Sequence, residues 1–176
     1  MEGYKDNSGF NAVFGGGVVG DQIGRDFGSF HSELTQTTTA PLSSNQVKLE
    51  ITDTTSGVSC ATNGDITFVK EGMYMLEATL QFQHTNPTTA DEALVWLLQN
   101  GASLPQTTRT IVLNSNITKN IISVSYMLSI FPFPTSLPTI SIGWSVSDLD
   151  ISLDKFTGGT SYPANPSAIC NVFQIA

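Results

Sequence analysis

Charged residues are scarce in this 176-residue sequence: Asp, Glu, Lys and Arg make up 12% of it, about half the usual share of a globular chain. Seven of them are cationic (Lys5, Arg25, Lys48, Lys70, Arg109, Lys119 and Lys155), scattered without forming a patch, and the formal net charge is −8. Binding nucleic acid through its backbone requires several cations to displace condensed counterions. An anionic membrane surface makes a similar demand, so we expect neither partner. Long hydrophobic runs are missing too. No apolar stretch reaches the roughly 18 residues needed to cross a bilayer, and MEGYKDN lacks the cationic and apolar regions of a signal peptide, so we expect neither a membrane span nor a leader.

Cysteine and histidine are equally sparse. Cys60 lies in a polar loop and Cys170 in an apolar terminal run. One disulfide and two free thiols both fit, and the scarcity of cysteine favours free thiols. His31 and His84 stand alone, with no second histidine at metal-binding spacing. Asp148, Asp150 and Asp154 lack the glycine-punctuated spacing of a calcium loop, and with Asp91-Glu92 they read as solvated strand ends. We expect no metal and no cofactor. There is no G-x-S-x-G and no cysteine near a histidine, and ionisable groups do not concentrate in the turns as active sites require. We therefore expect no catalysis, although spacing alone does not decide whether a histidine meets a distant serine, or two carboxylates each other, in space. Gly15-Gly16-Gly17-Val18-Val19-Gly20 matches G-x-G-x-x-G literally. That motif binds dinucleotides only between a strand and a helix, and the glycines at 24 and 28 oppose the helix. Asn116-Ile117-Thr118 is a glycosylation sequon that reads as an unused turn.

What the sequence does have is Thr, Ser, Asn and Gln in place of charge, a composition suited to surfaces that pack against protein. Residues 1–29 are Gly-rich, with apolar residues spaced among the glycines, including Phe10, Phe14 and Phe27. Glycine at this density opposes helix and strand. Two readings fit: an arm ordered on a neighbour, with those phenylalanines as contacts, or a disordered tail. From Phe30 onward the pattern has period two. Apolar residues alternate with polar or mixed ones in 72–83, 121–130 and 139–147, the signature of strands with one face on a core. Shorter runs at 47–51, 66–69, 93–98, 109–113 and 169–176 bring the expectation to about eight strands. Asn63-Gly64, Asn100-Gly101 and Thr157-Gly158-Gly159 supply turns, and the three prolines of 131–138 exclude helix and central strand there. A core of roughly 150 residues needs no staples. The expectation is an all-β sandwich, barrel or jelly roll over 30–176.

Ile66, Phe68, Gly72, Tyr74, Trp96, Asn100, Gly101, Trp144 and Ser145 fall in the order of a known pattern. It comprises an I-x-F strand, a G-x-Y entry into a long strand, a W-x-x-x-N-G hairpin and a strand ending in Trp-Ser. In these residues the chain resembles the C1q/TNF-like jelly roll, in particular the version found as a virion protein in large DNA viruses and phages. The resemblance covers roughly 30–176. It implies a ten-strand, two-sheet antiparallel sandwich with its terminal strands central in the inner sheet. It further implies a homotrimer, with pentamers known among related capsid-vertex jelly rolls, and a structural or adhesive role.

The residues agree. Met73 and Met75, Ile121 and Met127, and Val172 and Phe173 put apolar side chains where a solvent-facing sheet should be polar, and such patches mark interfaces. We expect these six to line a subunit seam. The function expected is a minor capsid, vertex or capsid-decoration subunit located in the virion, contacting its own copies and neighbouring capsid proteins. The alternative is a fibre-tip or receptor-binding adhesion module.

Overall fold

The structure is a computed structural model that describes residues 25–86, 88–114, 118–132, 134–161 and 163–176. Its two antiparallel sheets contain, among these residues, twelve strands and no helix. The first sheet holds β1 (Phe27–Ser32), β3 (Ile51–Ser56), β6 (Gly72–His84), β9 (Lys119–Ile130), β11 (Ile151–Leu153) and β12 (Ala168–Gln174). The second holds β2 (Asn45–Gln46), β4 (Val58–Cys60), β5 (Ile66–Phe68), β7 (Asp91–Gln99), β8 (Ala102–Leu113) and β10 (Ile140–Val146). This is a two-sheet antiparallel sandwich, with β1 and β12 paired in the interior of the first sheet as the resemblance implies.

The long alternating segments form the long strands for the reason the period implies. On β6 the residues Tyr74, Leu76, Ala78, Leu80 and Phe82 point inward, and on β9 Val124, Tyr126, Leu128 and Ile130 do. They meet Val95, Leu97, Ile140, Ile142 and Trp144 of the second sheet in one buried core. Aromatic side chains span the gap, with Trp144 and Phe82 ring centres 6.2 Å apart and Phe68 edge-on to Tyr74 at 4.7 Å. The β7–β8 hairpin closes on Asn100-Gly101, both at positive φ (51° and 78°), the two-residue turn whose twist matches its strands. β8 lies at the sheet edge, where Pro105 can be accommodated without breaking an inner ladder.

β1 begins at Phe27, inside the segment read as an arm. Gly28 belongs to the packing there, since a Cβ at that position would lie 2.4 Å from the Phe30 ring. Just before β1, the buried Asp26 carboxylate receives Lys70 Nζ at 3.0 Å and the Tyr74 hydroxyl at 3.4 Å, tying the start of the domain to the β5–β6 turn.

Cys60 and Cys170 are free thiols. Burial pushes the Cys60 thiol up to about 12, aided by the nearby Asp65 charge, and pushes Cys170 up as well. The Tyr74 phenol is raised to about 12 by burial and then by Asp26. Burial also raises Tyr126, against the opposing pull of Arg109.

Two outcomes follow from this packing. Gly143 of β10 lies under the Trp96 indole, and an added Cβ would sit 2.6 Å from Trp96 Cε2. Gly143→Ala should therefore cost about 1–3 kcal/mol by overpacking, read from urea denaturation. The raised thiols and phenols keep their protons more tightly when folded. Their contribution to stability is whole below the unfolded values, about 8.5 for Cys and 10 for Tyr. It is lost as the pH rises toward the folded values, so the denaturation midpoint should fall steadily from about pH 9 to pH 12. A midpoint constant across that window would contradict the burial of these groups.

Candidate functional site

The outer face of the first sheet is built by the residues that alternate with the core. Register sets them in rows. Met127 lies opposite Met75, Met75 opposite Phe173, and Phe173 opposite Phe27, so one apolar row crosses β9, β6, β12 and β1. At about 4.8 Å per strand the row is roughly 14 Å long. Met127 is 63% exposed, Phe27 40% and Phe173 38%. Met75 is half-buried, its sulfur accepting the Ser125 hydroxyl at 3.2 Å, and Met73 does the same with Ser129 at 3.2 Å. The next row is polar: Ser125, Glu77, Asn171, Ser29. The third is mixed: Ser123, Thr79, Ile169, His31. Ile121, 57% exposed, stands at the far end beside Gln81.

Five of the six residues expected at a seam thus lie on one face: Met73, Met75, Ile121, Met127 and Phe173. Val172 does not. It is 1% exposed and packs in the core with Ala168 and Cys170. Adjacent residues of a strand point to opposite faces, so Val172 and Phe173 cannot share a seam. Phe27, read as an arm contact, is a strand residue that completes the apolar row. Phe10 and Phe14 lie outside the described residues, as do the glycine motif of 15–20 and Asn116. Ile169, on the same face as Phe173, joins the exposed apolar set.

Electrostatically the face is one-sided. Glu77 is exposed near its centre, and no cation among the described residues pairs with it. His31 at the margin is held by Asp53, Nδ1 to Oδ1 at 3.0 Å. None of the outward residues of the three rows is Lys or Arg.

Elsewhere, several ionisable residues among those described are engaged with one another or with nearby hydroxyls. Buried His84 lies 3.4 Å from Asp91, and the Ser147 hydroxyl donates to the same carboxylate at 3.0 Å. The carboxylate therefore stands between serine and imidazole, whereas activating a serine requires the imidazole at the hydroxyl. Asp148 accepts the Asp150 backbone N–H at 2.9 Å, and Asp154 accepts Lys119 at 3.3 Å and Thr35 at 3.1 Å. Among the described residues, no three His, Cys, Asp or Glu side chains are placed to hold a metal ion.

No family model and no curated protein sequence matches the chain. Solved structures do match. The globular domain of zebrafish complement 1qA protein is similar at 12% identity and a TM-score of 0.50, covering 86% of this chain and 98% of that one. Murine APRIL, in crystals at pH 8.0 and pH 5.0, is similar at 9% identity with TM-scores of 0.52 and 0.53, covering 86% of this chain and 99% of the other. At such identities the likeness establishes the fold, a C1q/TNF-like jelly roll, and that alone.

Proposed function

We propose that this chain is a structural subunit that assembles with its own copies through the outer face of the first sheet, as a minor capsid, vertex or capsid-decoration protein of a virion. The observation that carries the assembly is the row Met127–Met75–Phe173–Phe27. Completing the burial of each of these partly exposed side chains is worth about 1 kcal/mol, and a ring of copies repeats that gain at every contact. Glu77 selects the kind of contact. A two-fold pairing of the face with itself would set Glu77 near its own copy, and desolvated like charges cost several kcal/mol. A heterologous contact, in which the face meets a different surface of the next copy and closes by rotation, avoids this. A trimer, the state the family resemblance implies, satisfies that rule, and a pentamer does too. The virion setting draws its support from the resemblance of the sequence to virion jelly rolls and from the low-charge, amide-rich composition. The part of the Gly-rich segment that precedes β1, residues 1–24, is then the tie to neighbouring capsid proteins. The adhesion-module reading uses the same fold and the same assembly, with the ligand held elsewhere on the surface.

Light scattering of the purified chain at micromolar concentration should give the mass of a closed oligomer. Met75→Glu with Met127→Glu should give a monomer with an unchanged β circular dichroism spectrum, because both side chains lie outside the core. A wild-type monomer, or a double variant of wild-type mass, would refute the seam. For the virion setting, incorporation into shells at many copies, lost on deletion of residues 1–24, which leaves Asp26 and the strand β1 in place, is the expected result. Normal incorporation without them would remove the arm from the scheme.

A further inference from the structure

Glu77 stands exposed beside the apolar row, with Ser125 of β9 and Asn171 of β12 as its cross-strand neighbours. Neither neighbour is charged, and no cation among the described residues pairs with the Glu77 carboxylate. Covering the face removes the water that solvates this group, and an ionised carboxylate left dry without a partner is costly. The rows of the face contain no Lys or Arg, so the compensating cation has to come from the surface that covers it.

The sandwich borders this face with a flank on either side. On one side β3 ends the first sheet and β4 ends the second, and these strands carry Asp53 and no Lys or Arg. On the other side, among the described residues, β9 pairs only with β6 and β8 only with β7, which leaves both with a free edge. The Tyr126 hydroxyl of β9 joins these edges by donating to the Thr107 carbonyl of β8 at 2.6 Å. Arg109 of β8 is exposed on this flank, its guanidinium 5.9 Å from the Tyr126 ring centre and its Nη1 donating to the Thr108 carbonyl at 3.0 Å. Ring and carbonyl hold the group in place, and no carboxylate among the described residues pairs with it. The remaining N–H groups of the guanidinium can grip a carboxylate in a bidentate fork. Its aliphatic stem can lie along apolar side chains such as the neighbouring methionines. The unpaired anion and the fixed, unpaired cation thus sit on two surfaces that share β9 as their border. Adjoining surfaces inclined to each other are what a ring closed by rotation uses, the face of each subunit receiving the flank of the next.

We propose that the outer face of each copy is covered by the β8–β9 flank of the next, with Arg109 of one copy seated on Glu77 of the other. This rests on assembly through the outer face and names the second surface of that contact. The apolar row supplies the adhesion, and the charge pair chooses between the two flanks and sets the register. The test is the dissociation constant of the assembly, from sedimentation velocity over a concentration series. It is measured for the wild type, for Glu77→Arg, for Arg109→Glu and for the double variant carrying both. Both positions are exposed, so circular dichroism should show every variant folded. Each single reversal sets like charges together and should raise the dissociation constant about a hundredfold. The double reversal restores an opposite pair and should return it to within about tenfold of the wild type. A merely structural loss at either position would not show that rescue. Arg25→Glu, which reverses another unpaired cation, should leave assembly unchanged. A wild-type monomer would remove the assembly and this contact together. An assembled wild type whose single reversals assemble equally well would overturn this contact alone. So would a double reversal no tighter than the singles, or rescue of Glu77→Arg by Arg25→Glu in place of Arg109→Glu.

Discussion

The pairing of β6 with β9 on one edge and with β12 and β11 on the other is the constraint from which the rest follows. Twelve residue pairs in the β6–β9 ladder and seven in β6–β12 fix which side chains share a level. A slip of one residue would exchange the two faces of a strand, burying Met75 and Glu77 and expelling Leu76 and Ala78. The core forbids this, because Tyr74, Leu76, Leu80 and Phe82 are fully buried against the second sheet. The surface row is therefore a by-product of core packing. Once the inner residues are in register, Met127, Met75, Phe173 and Phe27 fall into line with no further choice.

Parity along a strand was legible in the sequence, and register between strands was not. Alternation alone placed strands at 72–83, 121–130 and 139–147, and the structure has them at Gly72–His84, Lys119–Ile130 and Ile140–Val146. The strands that escaped notice lack that signal. β3 (ITDTTS) is almost wholly exposed and polar, so no apolar face marks it, and it exists because β1 offers an edge. β1 was hidden by glycine, which here makes room for the Phe30 ring instead of loosening the chain. The first half of β8 was hidden by Pro105, tolerated at an edge. The error at Val172 was one of parity in a strand apolar on both faces, where composition does not say which face looks inward.

Charge finally limits how copies of the chain can attract one another. At −8 each, they repel at long range, though at physiological salt the repulsion is screened beyond about 8 Å. Lys70, Lys119 and Lys155 are already engaged with Asp26, Asp154 and Glu33 of the same chain. Among the described residues that leaves Arg25, Lys48 and Arg109 without an ion pair, and none of them lies in the rows of the candidate face. The face itself therefore offers no cation to an opposing surface, and the contact proposed for it is short-ranged and apolar. A row of methionine and phenylalanine suits that role, because flexible thioethers and flat rings adapt to an opposing surface that differs from their own, as a heterologous contact demands.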